Sequence, residues 1–164
     1  MGIGELAVEV SAPCAAWLRE CPDATALAER AALLALRRAE APGDAVVDIT
    51  LADDTTQCAL NRAWRGTDAP TNVLAFPAAD PTVPVPPGAP LLLGDVVLAF
   101  ETVRREAAEQ KKPLADHLRH LVVHGVLHLL GHDHHDDVEA AAMEAREIAI
   151  LGELGVPNPY RDTM

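Results

Sequence analysis

The sequence predicts an α+β fold: a small mixed β-sheet of about four strands packed with helices. Three observations carry this. Short alternating or β-branched segments occur at 5–10, 45–51, 72–76 and 91–100. The order then reads strand, helix, strand, helix, two strands, three helices, and helices gathered toward one end of the chain favour a layered α+β arrangement. No internal repeat or linker divides the 164 residues, and that length suits a single core, so 1–164 is read as one domain.

Residues 5–10 alternate and give the first strand. Pro13 and Pro22 bracket a short piece around Trp17. From Asp23 or Thr25 to Arg38, Leu27, Ala31, Leu34 and Ala35 recur at helical spacing until Pro42-Gly43-Asp44 breaks the run. The second strand is 45–51. Asp53, Asp54 and Thr55 are cap residues, and Gln57 stands at capping-box distance, so a helix is expected over 55–64. A third strand follows at 72–76, and the six prolines between 77 and 90 make that stretch a loop. The strand 91–100 is expected to be interrupted at Gly94-Asp95, and 101–112 is a polar helix. Pro113, tolerated in a first turn, opens the next helix, and 136–154 is a last, alanine-rich one ended by Gly155 and Pro157.

Composition excludes several function classes. Half the residues are hydrophobic (49%), which argues against disorder. Cys14, Cys21 and Cys58 form no paired framework and no metal spacing, so reduced thiols and a cytoplasmic location are expected. The N-terminus does not read as a signal peptide, and the most apolar run, 121–130, is far shorter than the ~20 residues a membrane helix needs. A net charge of −12 argues against a surface that grips nucleic acid everywhere. Basic residues gather at Arg62 and Arg65, at Arg104 and Arg105, and at Lys111, Lys112 and Arg119; apart from Arg65 they read as solvated helix faces.

The stretch that carries chemistry is 124–134, His-Gly-Val-Leu-His-Leu-Leu-Gly-His-Asp-His. His124 and His128 lie four apart, which on a helix puts their Cβ atoms roughly 5–6 Å from each other on one face. Two imidazoles so placed can converge on one ion at about 2.0–2.1 Å each. A third ligand must come from beyond the helix. Gly131 can supply the left-handed residue that turns the chain back, after which His134 can reach the same ion, with His132 and His135 flanking it as alternatives. Three nitrogen ligands leave a fourth position open, as catalytic rather than structural zinc sites do. His117 and His120 are read as core or surface residues. Zinc is the expected occupant, although imidazole also suits nickel and copper.

Four blocks together resemble the YbeY family, metal-dependent endoribonucleases of ribosomal RNA maturation. They are the histidine stretch, Leu-Asn-Arg-Ala-Trp-Arg-Gly-Thr-Asp at 60–68, Pro-Thr-Asn-Val-Leu-Ala-Phe-Pro at 70–77 and Leu-Gly-Asp-Val-Val at 93–97. The resemblance implies one zinc ion per chain held by His124, His128 and His134, with Arg65 as the functional arginine. It implies a hydrolase that cuts single-stranded RNA, takes part in ribosomal RNA processing and ribosome quality control, and meets ribosome-associated proteins but no DNA and no membrane. Family members usually carry Ser at Ala75 and Tyr at His132, and some carry Asp at Asn72. The guanidinium of Arg65 would offer paired donors to the charge that develops on phosphoryl oxygens.

Two other functions stay open. The spacing of 124, 128, 131 and 134 also matches metzincin proteases, which carry a glutamate general base where this chain has Gly125. A non-catalytic ribosome-assembly factor with a structural metal is the other.

Overall fold

The computed structural model describes residues 6–66, 71–78, 91–131 and 136–160, without the Arg65 side chain. Its order is β1 (Ala7–Ser11), α1 (Ala16–Glu20), α2 (Ala24–Arg38), β2 (Ala45–Ala52), α3 (Asp54–Arg65), β3 (Val73–Pro77), β4 (Leu91–Ala99), α4 (Phe100–Glu109), α5 (Leu114–Leu129) and α6 (Asp137–Glu153). The four strands form one sheet in the order β1-β2-β4-β3. The first three run parallel and β3 is antiparallel to β4, so the sheet is mixed, as expected.

Strand alternation decides what each sheet face meets. Ala45, Val47, Ile49 and Leu51 of β2 are buried, whereas Asp48 and Thr50 point the other way. α5 crosses the apolar face against Val96 of β4, and α2 packs beside it on the same core. On the opposite face Glu9, Asp48 and Asp95 stand in register across three strands. Burial, with Asp48 beside it, pushes the Asp95 carboxyl above its ordinary value. This acidic row would repel phosphates.

Three expectations change in detail. β4 is not interrupted at Gly94: Val46 pairs with Leu92 and Val47 with Gly94, so Leu93 is an extra residue and the strand continues through a bulge. Gly94 sits at φ +150°, and a Cβ there would lie 2.1 Å from the Phe76 carbonyl oxygen, so β3 can approach only a glycine. Gln57 does not complete a capping box. Asp53 caps α3 by accepting from the Thr56 amide, while Gln57 is buried and its Nε2 donates to the Val97 carbonyl at 2.9 Å. Pro113 precedes α5 as its N-cap rather than standing in its first turn.

The helix that leads toward the site is tied at its start. The Thr102 amide and hydroxyl donate to Asp54, and the Asp54 amide donates to Glu101 at 2.9 Å, so the first turns of α3 and α4 hold each other. Trp17 fills the far end of the core, fully buried, with its indole N–H donating to the Ala52 carbonyl.

Candidate metal centre

α5 is apolar nearly all round, because Leu118, Leu121, Val122, Val123, Val126 and Leu127 are buried between the sheet and its neighbouring helices. His124 and His128 keep partial exposure on the side that faces β3. There they line one cleft of about 410 Å³ together with Gly125, Trp64 and residues 73–76. The expected pairing of these two histidines on one helix face is therefore present. Gly131, just past the helix, has φ +96°, the left-handed turn the sequence called for. His132, His134 and His135 lie outside the described residues. Among the described residues no group of three metal-ligating side chains comes together.

Behind His124 lies a residue that the motif does not name. Glu147 of α6 is fully buried, and its Oε1 is 2.5 Å from His124 Nδ1. Its Oε2 accepts from the Tyr160 hydroxyl and is 3.6 Å from His120 Nε2. Burial pushes this carboxyl up, but His120, His124 and Tyr160 together outweigh it and hold its pKa at about 2. Glu147 is thus ionised at neutral pH and can only accept hydrogen bonds. His124 must then donate from Nδ1, and in the neutral ring that leaves Nε2 as the nitrogen able to bind an ion. That tautomer is the one a metal-binding histidine needs, and a carboxylate on the other ring nitrogen raises its basicity toward the ion.

The same logic places His120. Tyr160 gives its hydroxyl proton to Glu147, so its oxygen accepts from His120 Nε2 at 3.3 Å. His120, 12% exposed and hydrogen-bonded, is a nearly buried residue in keeping with the expectation, and it supports Glu147 through Tyr160. The Tyr160 hydroxyl is itself held protonated by burial and by the adjacent carboxylate. A signal for Glu147 does exist in the sequence: it follows Met143 by four and precedes Ile150 and Leu151, all buried, so it is a lone carboxylate inside an apolar helical stripe.

His117 is a core residue, as expected. It is buried, its Nε2 donates to Glu106 at 2.9 Å, and Glu106 also accepts from Asn72 Nδ2 at 3.0 Å. An aspartate at 72 would set a second carboxylate against Glu106, so the asparagine fits this chain's own neighbour. Ala75 lines the cleft. Of the basic groups away from the site, Arg104 pairs with Glu20 and Arg105 with Glu109 on solvated faces, whereas Arg119 departs from that expectation: it is only 17% exposed and donates to Asp116 and to the Leu154 carbonyl.

The donor set fits a metal ion: two imidazoles share a cleft, and a buried carboxylate accepts from the Nδ1 of one. It fits the protease pattern poorly. A Cβ at position 125 would lie 2.7 Å from Val96 Cγ1, so this position is given over to seating α5 on the sheet and has no room for a glutamate. Arg65 closes α3 at Gly66, whose φ is +71°, one residue after Trp64, which lines the cleft.

Comparisons with known proteins bear on the family and the fold. The family model described as Endoribonuclease YbeY matches residues 19–155. A protein named Endoribonuclease YbeY from Paramagnetospirillum magneticum is 58% identical over 159 residues, 95% of each chain. One of the same name from a Bradyrhizobium species is 51% identical, covering 94% of this chain and 91% of its own. The solution structure of TM1509 from Thermotoga maritima shares the fold, with a TM-score of 0.51, 22% identity and 96% of each chain covered.

Proposed function

The chain belongs to the YbeY endoribonuclease family, and on that premise we propose that it is a zinc-dependent endoribonuclease that hydrolyses phosphodiester bonds in single-stranded RNA. Its setting is the maturation and quality control of ribosomal RNA in the cytoplasm, alongside ribosome-associated proteins. One observation carries the reading: His124 and His128 line one cleft, and a buried ionised Glu147 accepts from Nδ1 of the first of them. Among the described residues no helix is long and apolar enough to cross a membrane.

His124, His128 and His134 would hold the ion. When bound, zinc supplies Lewis acidity toward a phosphoryl oxygen and makes water a better nucleophile near neutral pH. The protein's own residues do the rest. Glu147 keeps the Nδ1 proton on His124 and so orients the ring. Arg65 would meet the charge that grows on the phosphoryl oxygens, and the presence of its neighbour Trp64 in the cleft supports that assignment. The acidic row on the opposite face of the sheet supports RNA approaching from the β3 side alone.

The deciding experiment compares cleavage of single-stranded RNA by metal-loaded, chelator-stripped and zinc-restored protein, with His128→Ala purified identically as the control for contaminating nuclease. Cleavage that follows the metal and is lost in His128→Ala is expected. Metal-loaded protein that leaves RNA intact would favour the assembly-factor reading, and metal-dependent peptide hydrolysis in its place would favour the protease.

A further inference from the structure

The chain has two tryptophans, and they are placed in opposite environments. Trp17 is fully buried and hydrogen-bonded, whereas Trp64 is 67% exposed although it is the largest apolar side chain available to a core. Trp64 stands in the last turn of α3, and its ring meets Phe76 of β3 with centroids 5.2 Å apart and planes inclined at 41°. Both rings line the cleft that His124 and His128 line. Contact with Phe76 covers only part of the indole, so a large aromatic face remains in water at the mouth of the candidate site.

From this placement we infer that Trp64, supported by Phe76, is a stacking platform for an unpaired nucleobase of the RNA substrate, next to the bond that is cut. The inference rests on the endoribonuclease reading and adds to it a subsite with a stated ligand. An unpaired base has a free π-face that an indole can cover, and such stacking is tolerant of sequence. A base within a duplex has both faces occupied by its neighbours, so the platform would itself select single strands. Charge sharpens the argument. With a net charge of −12 and an acidic row on the far face, the protein gains little from general attraction to phosphates, and stacking is a contact that does not depend on charge. The bland account is that Trp64 merely shields Phe76 from water. That account calls for any bulky apolar side chain, whereas a platform calls for an aromatic ring.

The contrast between the two tryptophans makes the test direct. Single-stranded RNA mixed with the metal-loaded protein should quench tryptophan emission within the binding phase of a stopped-flow trace, before turnover. In Trp64→Leu, which keeps an apolar group over Phe76, only the buried Trp17 reports, and the quench should vanish. That variant should retain its metal, while KM for single-stranded RNA rises roughly 5- to 100-fold, kcat falls by less, and Trp64→Phe recovers part of the loss. A duplex of the same sequence should quench little. Wild-type emission that stays flat while anisotropy of labelled RNA reports binding would overturn the subsite, as would an unchanged KM in Trp64→Leu or equal quenching by the duplex. Wild type that neither binds nor cleaves RNA overturns the endoribonuclease reading along with the subsite, so the two failures are distinguishable.

Discussion

His117 and His124 stand two turns apart on α5, and each rests on a glutamate brought by another helix: Glu106 from α4 and Glu147 from α6. The pairs look alike but use the rings in opposite ways. His117 gives its Nε2 proton to Glu106, and its Nδ1 is buried with no partner among the described residues. His124 gives its Nδ1 proton to Glu147, and its side chain is 29% exposed in the cleft, against 3% for His117. A carboxylate behind a histidine therefore does not by itself make a metal ligand. What matters is which nitrogen it occupies and whether the other one opens onto space where an ion can sit.

The strongest way to break the comparison is to remove each ring in turn. His124→Ala and His128→Ala should each abolish stoichiometric zinc, and His134→Ala should do the same by the family resemblance. His117→Ala should keep the metal and lose stability by about 1–3 kcal/mol, the usual cost of deleting one partner of a buried hydrogen bond. Elemental analysis of the purified variants beside their melting curves checks both halves. Full metal in His134→Ala, with loss in His132→Ala or His135→Ala, would assign the third ligand elsewhere.

Holding the ion is also separable from using it. Arg65→Ala should retain zinc and melt close to wild type, yet lose about 10²–10³ in cleavage rate, the typical effect of deleting one preorganised charge-stabilising donor. Arg65→Lys should recover only part, since an ammonium offers a point charge where a guanidinium offers a fork. Normal cleavage by folded, loaded Arg65→Ala protein would remove the assignment.

The two glutamates give a smaller and more pointed contrast. Glu147→Gln should weaken zinc affinity about 10- to 100-fold, because the amide no longer enforces the Nδ1 proton on His124 or raises its basicity. Glu106→Gln should leave zinc affinity unchanged. Competition with a chromophoric chelator measures both, and equal effects from the two substitutions would erase the distinction between the pairs.

How much of this was legible in advance follows from which interactions are local. The end of α2 at Arg38 and the alternation of 45–51 are legible because those signals depend on a few neighbouring residues. The sequence offers Asp53, Asp54 and Thr55 as caps of α3, of which Asp53 serves, and α2 ends through a left-handed Glu40 ahead of Pro42-Gly43. The i, i+4 spacing of His124 and His128 is local in the same sense. Gly94 reads as a break in the sequence, yet its reason is the Phe76 carbonyl of another strand, and Gln57 reads as a cap, yet its partner is Val97. Only its place in the apolar stripe separates Glu147 from the other acidic residues of α6, and its partners lie on another helix and beyond α6. Nothing local to Trp64 tells that its ring meets Phe76 at the rim of the cleft.

The smallest expected effect concerns acid, and it separates the pairs by pH window. Burial lowers the His117 pKa from its ordinary value near 6.5; hydrogen bonding and charge from Glu106 oppose this, and Lys112 and His120 add to it. The unfolded chain therefore binds that proton more readily than the folded one, so stability tied to neutral His117 is present above about pH 6.5 and fades as pH falls through the lower, folded value. Glu147 behaves differently. Its carboxyl is held at about 2 against an ordinary 4.5, so its contribution persists to about pH 4.5 and fades only between there and about 2. Urea unfolding of metal-free protein as a function of pH should show the loss in that order. In His117→Gln the earlier decline should shrink while the later one remains, and a variant whose curve matches wild type above pH 5 would show that His117 is not held neutral by its surroundings.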